Sequence, residues 1–112
     1  MSVTDTNVVD AIGTMPDTNM VVLSISDHLS WGAQSGEHLV LLQSKINTYL
    51  RFIESGEIYV TFPTSKGKPI AVRVYFKEEP DDMGHQFLNR AREVLRGAGI
   101  ELQTARVGGD LH

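Results

Sequence analysis

Two histidines and two acidic residues lie close together around the single tryptophan of the chain. Asp27 and His28 follow a predicted strand, Trp31 lies in the loop, and Glu37 and His38 begin a predicted helix. Imidazole nitrogen and carboxylate oxygen atoms are ligands of divalent metals. The segment has no His-Glu-x-x-His motif, so its spacing matches no strong metal signature. We treat Asp27, His28, Trp31 and His38 as a candidate ligand site and expect no metal there.

The same segment has a structural interpretation that needs no ligand, and we favour it. Asp27 would cap the loop, Trp31 would fill the space between helix and sheet, and both histidines would be partly exposed. A serine, histidine and aspartate triad is disfavoured, because Ser26, Asp27, His28 and Ser30 are sequence neighbours and triads join groups from different elements. We therefore expect no catalytic residues and no cofactor.

A second candidate surface consists of two tyrosines and an arginine on predicted strands. Tyr59 lies in the strand predicted over residues 57–62, and Arg73 and Tyr75 lie on the outward side of the strand predicted over residues 70–77. Tyrosine and arginine are enriched where proteins bind one another. Aromatic side chains on an open sheet also stack single-stranded nucleic acid, and cross-strand tyrosines can simply stabilise a hairpin. All three roles fit these residues.

The elements that would hold these residues are predicted from apolar periodicity. Leucine, isoleucine and tyrosine residues recur three and four positions apart between Glu37 and Ile53, which is typical of a helix with one buried stripe. Lys45 would lie on its outer side. Ser35 is suited to cap the start of this helix, and Gly56 is suited to the left-handed cap that ends it.

A second predicted helix begins at Asp81 or Asp82, one of which would cap it, and ends at Gly97. Alternating apolar residues predict strands over residues 7–13, 20–26, 57–62, 70–77 and 100–106.

These elements predict an α+β fold with the order ββ-α-ββ-α-β. The simplest packing has two layers: a mostly antiparallel five-stranded sheet with both helices on one face. The other face of the sheet would then be open, with Tyr59, Arg73 and Tyr75 on it. We expect a flexible N-terminus over residues 1–6, a single domain over residues 7–107 and a flexible tail over residues 108–112.

Composition limits the classes of function. The chain has 112 residues and no cysteine, which excludes disulfides and thiolate chemistry and fits a cytoplasmic location. No apolar run approaches the roughly 20 residues that span a membrane. The net charge is −4, without the basic footprint that nucleic-acid binders carry.

Several segments of the chain resemble a family of small, uncharacterised bacterial proteins. The likeness extends over about residues 7–104, and its most distinctive part is the Ser-Asp-His-Leu-x-Trp run at residues 26–31 followed by Glu-His-Leu at residues 37–39. The segments that carry it are Val8–Gly13, Val22–Trp31, Glu37–Gln43, Lys45–Asn47 and Phe52–Ile58. The resemblance implies a soluble, stand-alone bacterial domain. Because the family has no known function, it implies no activity and no catalytic residue.

Together these observations favour a cytoplasmic protein-interaction module, with a protein partner or a second copy of itself bound at the open sheet face. The alternative is a small ligand- or metal-binding protein or enzyme, with its site near Asp27, His28, Trp31 and His38. Binding of single-stranded nucleic acid through the tyrosines is the weaker alternative.

Overall fold

Four strands form one open mixed sheet in the computed structural model, which describes residues 3–107. The strands are β1 (Ala11–Thr14), β2 (Val21–Asp27), β3 (Ile70–Phe76) and β4 (Ile100–Arg106). The helices are α1 (Ser35–Glu54), α2 (Glu57–Thr61) and α3 (Asp82–Gly97), and a 3-10 turn spans Pro63–Ser65. The fold is therefore α+β, as predicted.

The sheet has the strand order β1-β2-β3-β4, in which β1 is antiparallel to β2 while β2, β3 and β4 run parallel to one another. The prediction of a mostly antiparallel, five-stranded sheet is wrong. The helical connections after β2 and β3 return the chain to the end of the sheet where each strand began, so the next strand runs in the same direction. Leu23, Val72 and Leu102 are aligned across the three parallel strands.

The segment predicted as a strand over residues 57–62 is the short helix α2, which reduces the sheet to four strands. Alternation over five residues also fits a helical turn, in which Ile58 is fully buried and Val60 is 81% exposed. Gly56 has φ 85°, the left-handed conformation predicted for it, and this lets α2 follow α1 almost immediately. The N–H of Phe62 donates to the carbonyl of Ile58 at 2.8 Å.

The core lies between one face of the sheet and the helices. Leu42, Ile46 and Ile53 on the predicted stripe of α1 are buried against β2 and β3, and α3 contributes Leu88 and Leu95. Helices α1 and α3 contact each other, so they share this face of the sheet. None of the helices within residues 3–107 has the length and apolar character needed to cross a lipid bilayer.

The segment before β1 packs tightly across α1, a feature that the sequence did not predict. Val3 is fully buried, and its N–H donates to the carbonyl of Ser26 at 2.9 Å. Lys45 was predicted on the outer side of α1, but its side chain is buried. Its ammonium group donates to the carbonyls of Asp5 and Val8, each at 2.6 Å, and pairs with the Asp10 carboxylate at 2.9 Å.

Tyr49 joins this segment to the sheet. Its hydroxyl donates to the carbonyl of Ser24 at 2.6 Å and accepts from the N–H of Asp10 at 3.1 Å. Burial raises the pKa of Tyr49 to about 12. β1 thus begins at Ala11, four residues later than predicted, because the residues before it pack on α1. The predicted flexibility of residues 1–6 stays a prediction, and the tail predicted over residues 108–112 lies outside the described residues.

Candidate functional site

Two loops meet at the carboxyl ends of the parallel strands. One connects β2 to α1 and the other connects β3 to α3. We call the side chains that join them the loop cluster: Asp27, Trp31, Ser35, His38 and Asp81. This edge of a parallel sheet is where open α/β proteins usually bind ligands.

Asp27 and His38 form the buried centre of the loop cluster, with 1% and 2% of their surface exposed. His38 Nε2 lies 2.5 Å from Asp27 Oδ2, and His38 Nδ1 lies 3.1 Å from the carbonyl oxygen of Ser30. The other carboxylate oxygen of Asp27 accepts from the N–H of Leu29 at 3.1 Å. Nδ1 must donate to the carbonyl, so Nε2 and Asp27 share one proton as an ion pair or as a neutral pair.

This geometry decides what His38 can do chemically. Both ring nitrogen atoms are used inside the protein, so neither is available to ligate a metal or to take a proton from a substrate. In residues 3–107 no three His, Asp or Glu side chains come together as a metal would require. The Asp27–His38 pair instead fixes the loop after β2 to the first turns of α1.

Trp31 covers this pair. Its ring stacks on His38, with centroids 3.7 Å apart and planes at 27°, and it also lies 6.0 Å from the ring of Phe76. A Cβ added at Gly84 of α3 would lie 3.0 Å from two Trp31 ring atoms. Trp31 is half-buried, and its indole N–H is buried without an acceptor in the described part of the chain.

Ser35 and Asp81 connect the two loops directly. The Ser35 hydroxyl donates to Asp81 Oδ2 at 2.6 Å and accepts from the N–H of Gly32 at 2.8 Å. Asp81 Oδ1 accepts from the N–H of Gly84 at 2.9 Å, so Asp81 caps α3, as one of the two predicted aspartates. The hydrogen bond from Ser35, and then that from Gly84, lowers the pKa of Asp81. Ser35 was predicted to cap α1, but it is the first residue of that helix.

A cavity of about 650 Å³ opens beside the loop cluster. Trp31 and His38 line it, together with exposed His28 and Glu37. The structure therefore brings Asp27, Trp31 and His38 together, as the candidate ligand site required. His28 lies on the wall of the cavity and has no part in the buried pair.

The second candidate surface is the face of the sheet opposite the helices, which we call the open face. From the strand register and alternation, it consists of Ala11, Gly13, Val22, Ser24, Ser26, Ala71, Arg73, Tyr75, Glu101, Gln103 and Ala105. Ser26 and Glu101 are exposed, Arg73 and Tyr75 are half-buried, and Val22 is buried even on this face.

Arg73 is held in place at the middle of the open face. Its Nε donates to Gln103 Oε1 at 2.8 Å and its Nη1 donates to the Tyr75 hydroxyl at 3.1 Å. The guanidinium carbon lies 5.9 Å from the centroid of the Tyr75 ring. The amide of Gln103 donates in turn to Glu101. Two of the five guanidinium N–H groups are used, which leaves three without a protein acceptor in the described residues.

Tyr59 does not belong to this surface. It lies on α2, half-buried against the core on the helical side of the sheet. The predicted trio is therefore divided, with Arg73 and Tyr75 on one face and Tyr59 on the other. Glu101 also belongs to the open face, although it was not among the residues predicted for that surface. The signal was available, because the apolar residues Ile100 and Leu102 flank it in the predicted strand over residues 100–106.

The family of the chain follows from its sequence. A family model described as a family of unknown function, DUF6572, matches residues 1–107. The chain belongs to DUF6572. No curated protein and no solved structure matches the chain.

Membership of DUF6572 confirms the resemblance seen in the sequence. The most distinctive run of that resemblance, residues 26–31 with Glu37 and His38, supplies three members of the loop cluster: Asp27, Trp31 and His38. In this structure those residues hold the two loops together, so the run has a structural explanation. The family description assigns no activity to any of them.

Proposed function

We propose that this DUF6572 chain is a non-catalytic protein-binding module that acts through the open face, with Arg73 as its central contact. The observation that carries the proposal is the hydrogen bonding of the Arg73 guanidinium group. Tyr75 and Gln103 fix its guanidinium group, yet three of its N–H groups remain available to an acceptor on another molecule. An arginine that is already ordered loses little side-chain entropy when it binds.

The architecture supports this proposal. Parallel strands usually have both faces covered, and in the described chain the helices cover one face of β2, β3 and β4. Small residues such as Ser24 and Ala105 flank Arg73 and Tyr75, which lets a partner approach the sheet closely. Arginine and tyrosine are the residue types most often found at energetic hot spots of protein interfaces.

The other proposed roles have weaker support. With Tyr59 on the helical side, a single tyrosine remains on the open face, which is a poor stacking platform for a nucleic acid strand. The Asp27–His38 pair has no free nitrogen for catalysis. A cytoplasmic location, predicted from the sequence, is part of the proposal.

Affinity capture with three forms of the protein tests the role of the open face. The wild type, Arg73→Ala and Arg96→Ala would be immobilised equally and exposed to cell extract, with captured proteins identified by mass spectrometry. Arg96 lies on α3, away from the open face, and is exposed, so its substitution removes the same charge elsewhere. We expect a protein that the wild type and Arg96→Ala retain and that Arg73→Ala loses.

Ser26→Arg provides a second variant that removes no side-chain contact. Ser26 is exposed on the open face, so a long side chain there should block the partner while the fold is kept. Circular dichroism would confirm that each variant is folded. Equal capture of the same proteins by all four forms would contradict the proposal.

A small ligand in the cavity beside Trp31 is a second candidate, favoured by the position of that cavity at the carboxyl edge of the strands. Because Trp31 is the single tryptophan and lines this cavity, its fluorescence responds to a ligand bound there. Titration with zinc chloride and with free amino acids should change the emission if the cavity binds either probe. Emission that stays constant throughout would count against this candidate.

A further inference from the structure

We infer that the open face binds a second copy of this chain, through reciprocal contacts between Arg73 of each copy and Glu101 of the other. This inference rests on the proposed function and names the partner. It starts from the charges on the face. Of the residues on the open side of the four strands, Arg73 and Glu101 alone are charged, and their signs are opposite.

The positions of these two charges suit a symmetric dimer. Glu101 lies beside Ala71 in the register, so Arg73 is one strand over and two residues further along. A two-fold axis in the plane of the interface, midway between the two side chains, brings Arg73 of one copy to Glu101 of the other. The same operation makes the reverse contact, so the charge pair forms twice.

Hydrogen bonds within each copy already orient the two charges. Arg73 donates to Gln103 on the neighbouring strand, and Gln103 donates to Glu101 on its own strand, so hydrogen bonds link the three side chains. Arg73 keeps three N–H groups for a carboxylate, and Glu101 is exposed. The face as a whole carries no net charge, whereas the chain carries −4. The excess negative charge of the chain therefore lies outside this face, and two copies that meet here do not bring it into direct contact.

The area of the face sets the strength of the association. With strands about 4.8 Å apart and a rise of about 3.3 Å per residue, three strands of seven residues and one of four cover roughly 400 Å². A standard interface buries about 800 Å² on each partner. The dimer should therefore be weak and concentration-dependent, with a dissociation constant in the micromolar range or above.

Sedimentation equilibrium of charge-reversed variants tests the pairing. Arg73→Glu alone and Glu101→Arg alone each replace two attractive contacts by two like-charge contacts, so each should weaken self-association by about tenfold or more. An equimolar mixture of the two variants restores opposite charges at both contacts and should associate as the wild type does. The double variant should also dimerise. Arg96→Glu on α3 is the matched control and should leave association unchanged.

Circular dichroism of each variant establishes that it is folded before the mixture is measured, so a mixture that fails to associate reports on the charge contacts and not on unfolding. A wild type that stays monomeric at the highest soluble concentration would overturn the inference. So would a mixture that associates no better than its components. If a different protein is captured in an Arg73-dependent manner while the chain stays monomeric, the proposed function stands and the second copy is excluded.

Discussion

The loop cluster and the open face both contain charged and aromatic side chains, but they differ in where their hydrogen bonds go. In the loop cluster, both nitrogen atoms of His38 and both carboxylate oxygens of Asp27 are bonded inside the protein. On the open face, Arg73 has partners within residues 3–107 for two of its five N–H groups. Histidine and aspartate, which in a sequence suggest catalysis or metal binding, can thus form all their hydrogen bonds within the fold.

Substitutions in the two regions should therefore reduce stability by different amounts. A buried pair that loses one member leaves the other without a partner in a place that water does not reach. A half-exposed side chain that is removed leaves groups that water can solvate. We therefore expect the loop cluster to determine stability and the open face to determine binding, and four measurements test this division.

The largest effect is expected for Asp27→Ala. It leaves His38 Nε2 and the N–H of Leu29 without their hydrogen-bond partner, and breaking a buried pair of this kind usually costs about 3–5 kcal/mol of stability. Urea unfolding followed by circular dichroism would measure the loss. His28→Ala, next in sequence but exposed, should change stability by no more than about 0.5 kcal/mol. A loss below about 1 kcal/mol for Asp27→Ala would show that the pair does not hold the loop.

Two glycines of α3 should respond in opposite directions to the same substitution. The Cβ of Gly84→Ala would lie 2.9 Å from Pro80 Cβ and 3.0 Å from the Trp31 ring, so we expect a loss of about 1–3 kcal/mol and a shift in tryptophan emission. Gly97→Ala meets nothing within 4 Å and should stabilise the protein by up to about 1 kcal/mol. Stabilisation by both would mean that Trp31 does not pack against α3 as described.

Asp81 should contribute stability that depends on pH. Because Ser35 and Gly84 lower its pKa below the usual 3.8, the folded protein favours the ionised carboxylate. Its contribution is present above pH 3.8 and is lost as the pH falls through the lower pKa of the folded state. Asp81→Asn should therefore show a smaller loss of urea midpoint between neutral and acidic pH than the wild type. Asp82→Asn, at the exposed neighbouring position, is the matched variant for comparison.

The smallest effect on stability is expected on the open face. Arg73→Ala removes two half-exposed hydrogen bonds, so the free energy of unfolding should change by less than about 1 kcal/mol. Arg96→Ala gives the reference value for an exposed arginine. A loss for Arg73→Ala that approached the loss for Asp27→Ala would remove the distinction between the two regions.

The sequence predicted the elements that depend on local periodicity. The stripe of α1, the cap at Gly56 and the alternation that puts Arg73 and Tyr75 on one face were all found in the structure. Each of these is determined by residues a few positions apart. The candidate site was predicted in part, since Asp27, Trp31 and His38 do meet.

The predictions failed where contacts between residues far apart in the sequence determine the structure. The choice between helix and strand at Glu57–Thr61 depends on the space beside α1, and strand direction depends on how both helical connections return. Ser35 and Asp81 form their bond across 46 positions, so no local pattern could reveal it. Lys45 had a polar side chain on a predicted outer surface, and only the packing of the preceding segment explains why it is buried.

The segment before β1 is synthesised before the helix on which it packs. Asp5 and Val8 leave the ribosome well before Lys45, which lies 40 and 37 positions after them and binds their carbonyls. The carbonyl of Thr6 likewise accepts from the hydroxyl of Thr48, which is synthesised later. The first part of the domain to be synthesised therefore cannot reach its final position until α1 exists. Val3 should be accessible to proteases and chaperones until α1 has formed, and its burial should therefore follow the formation of that helix.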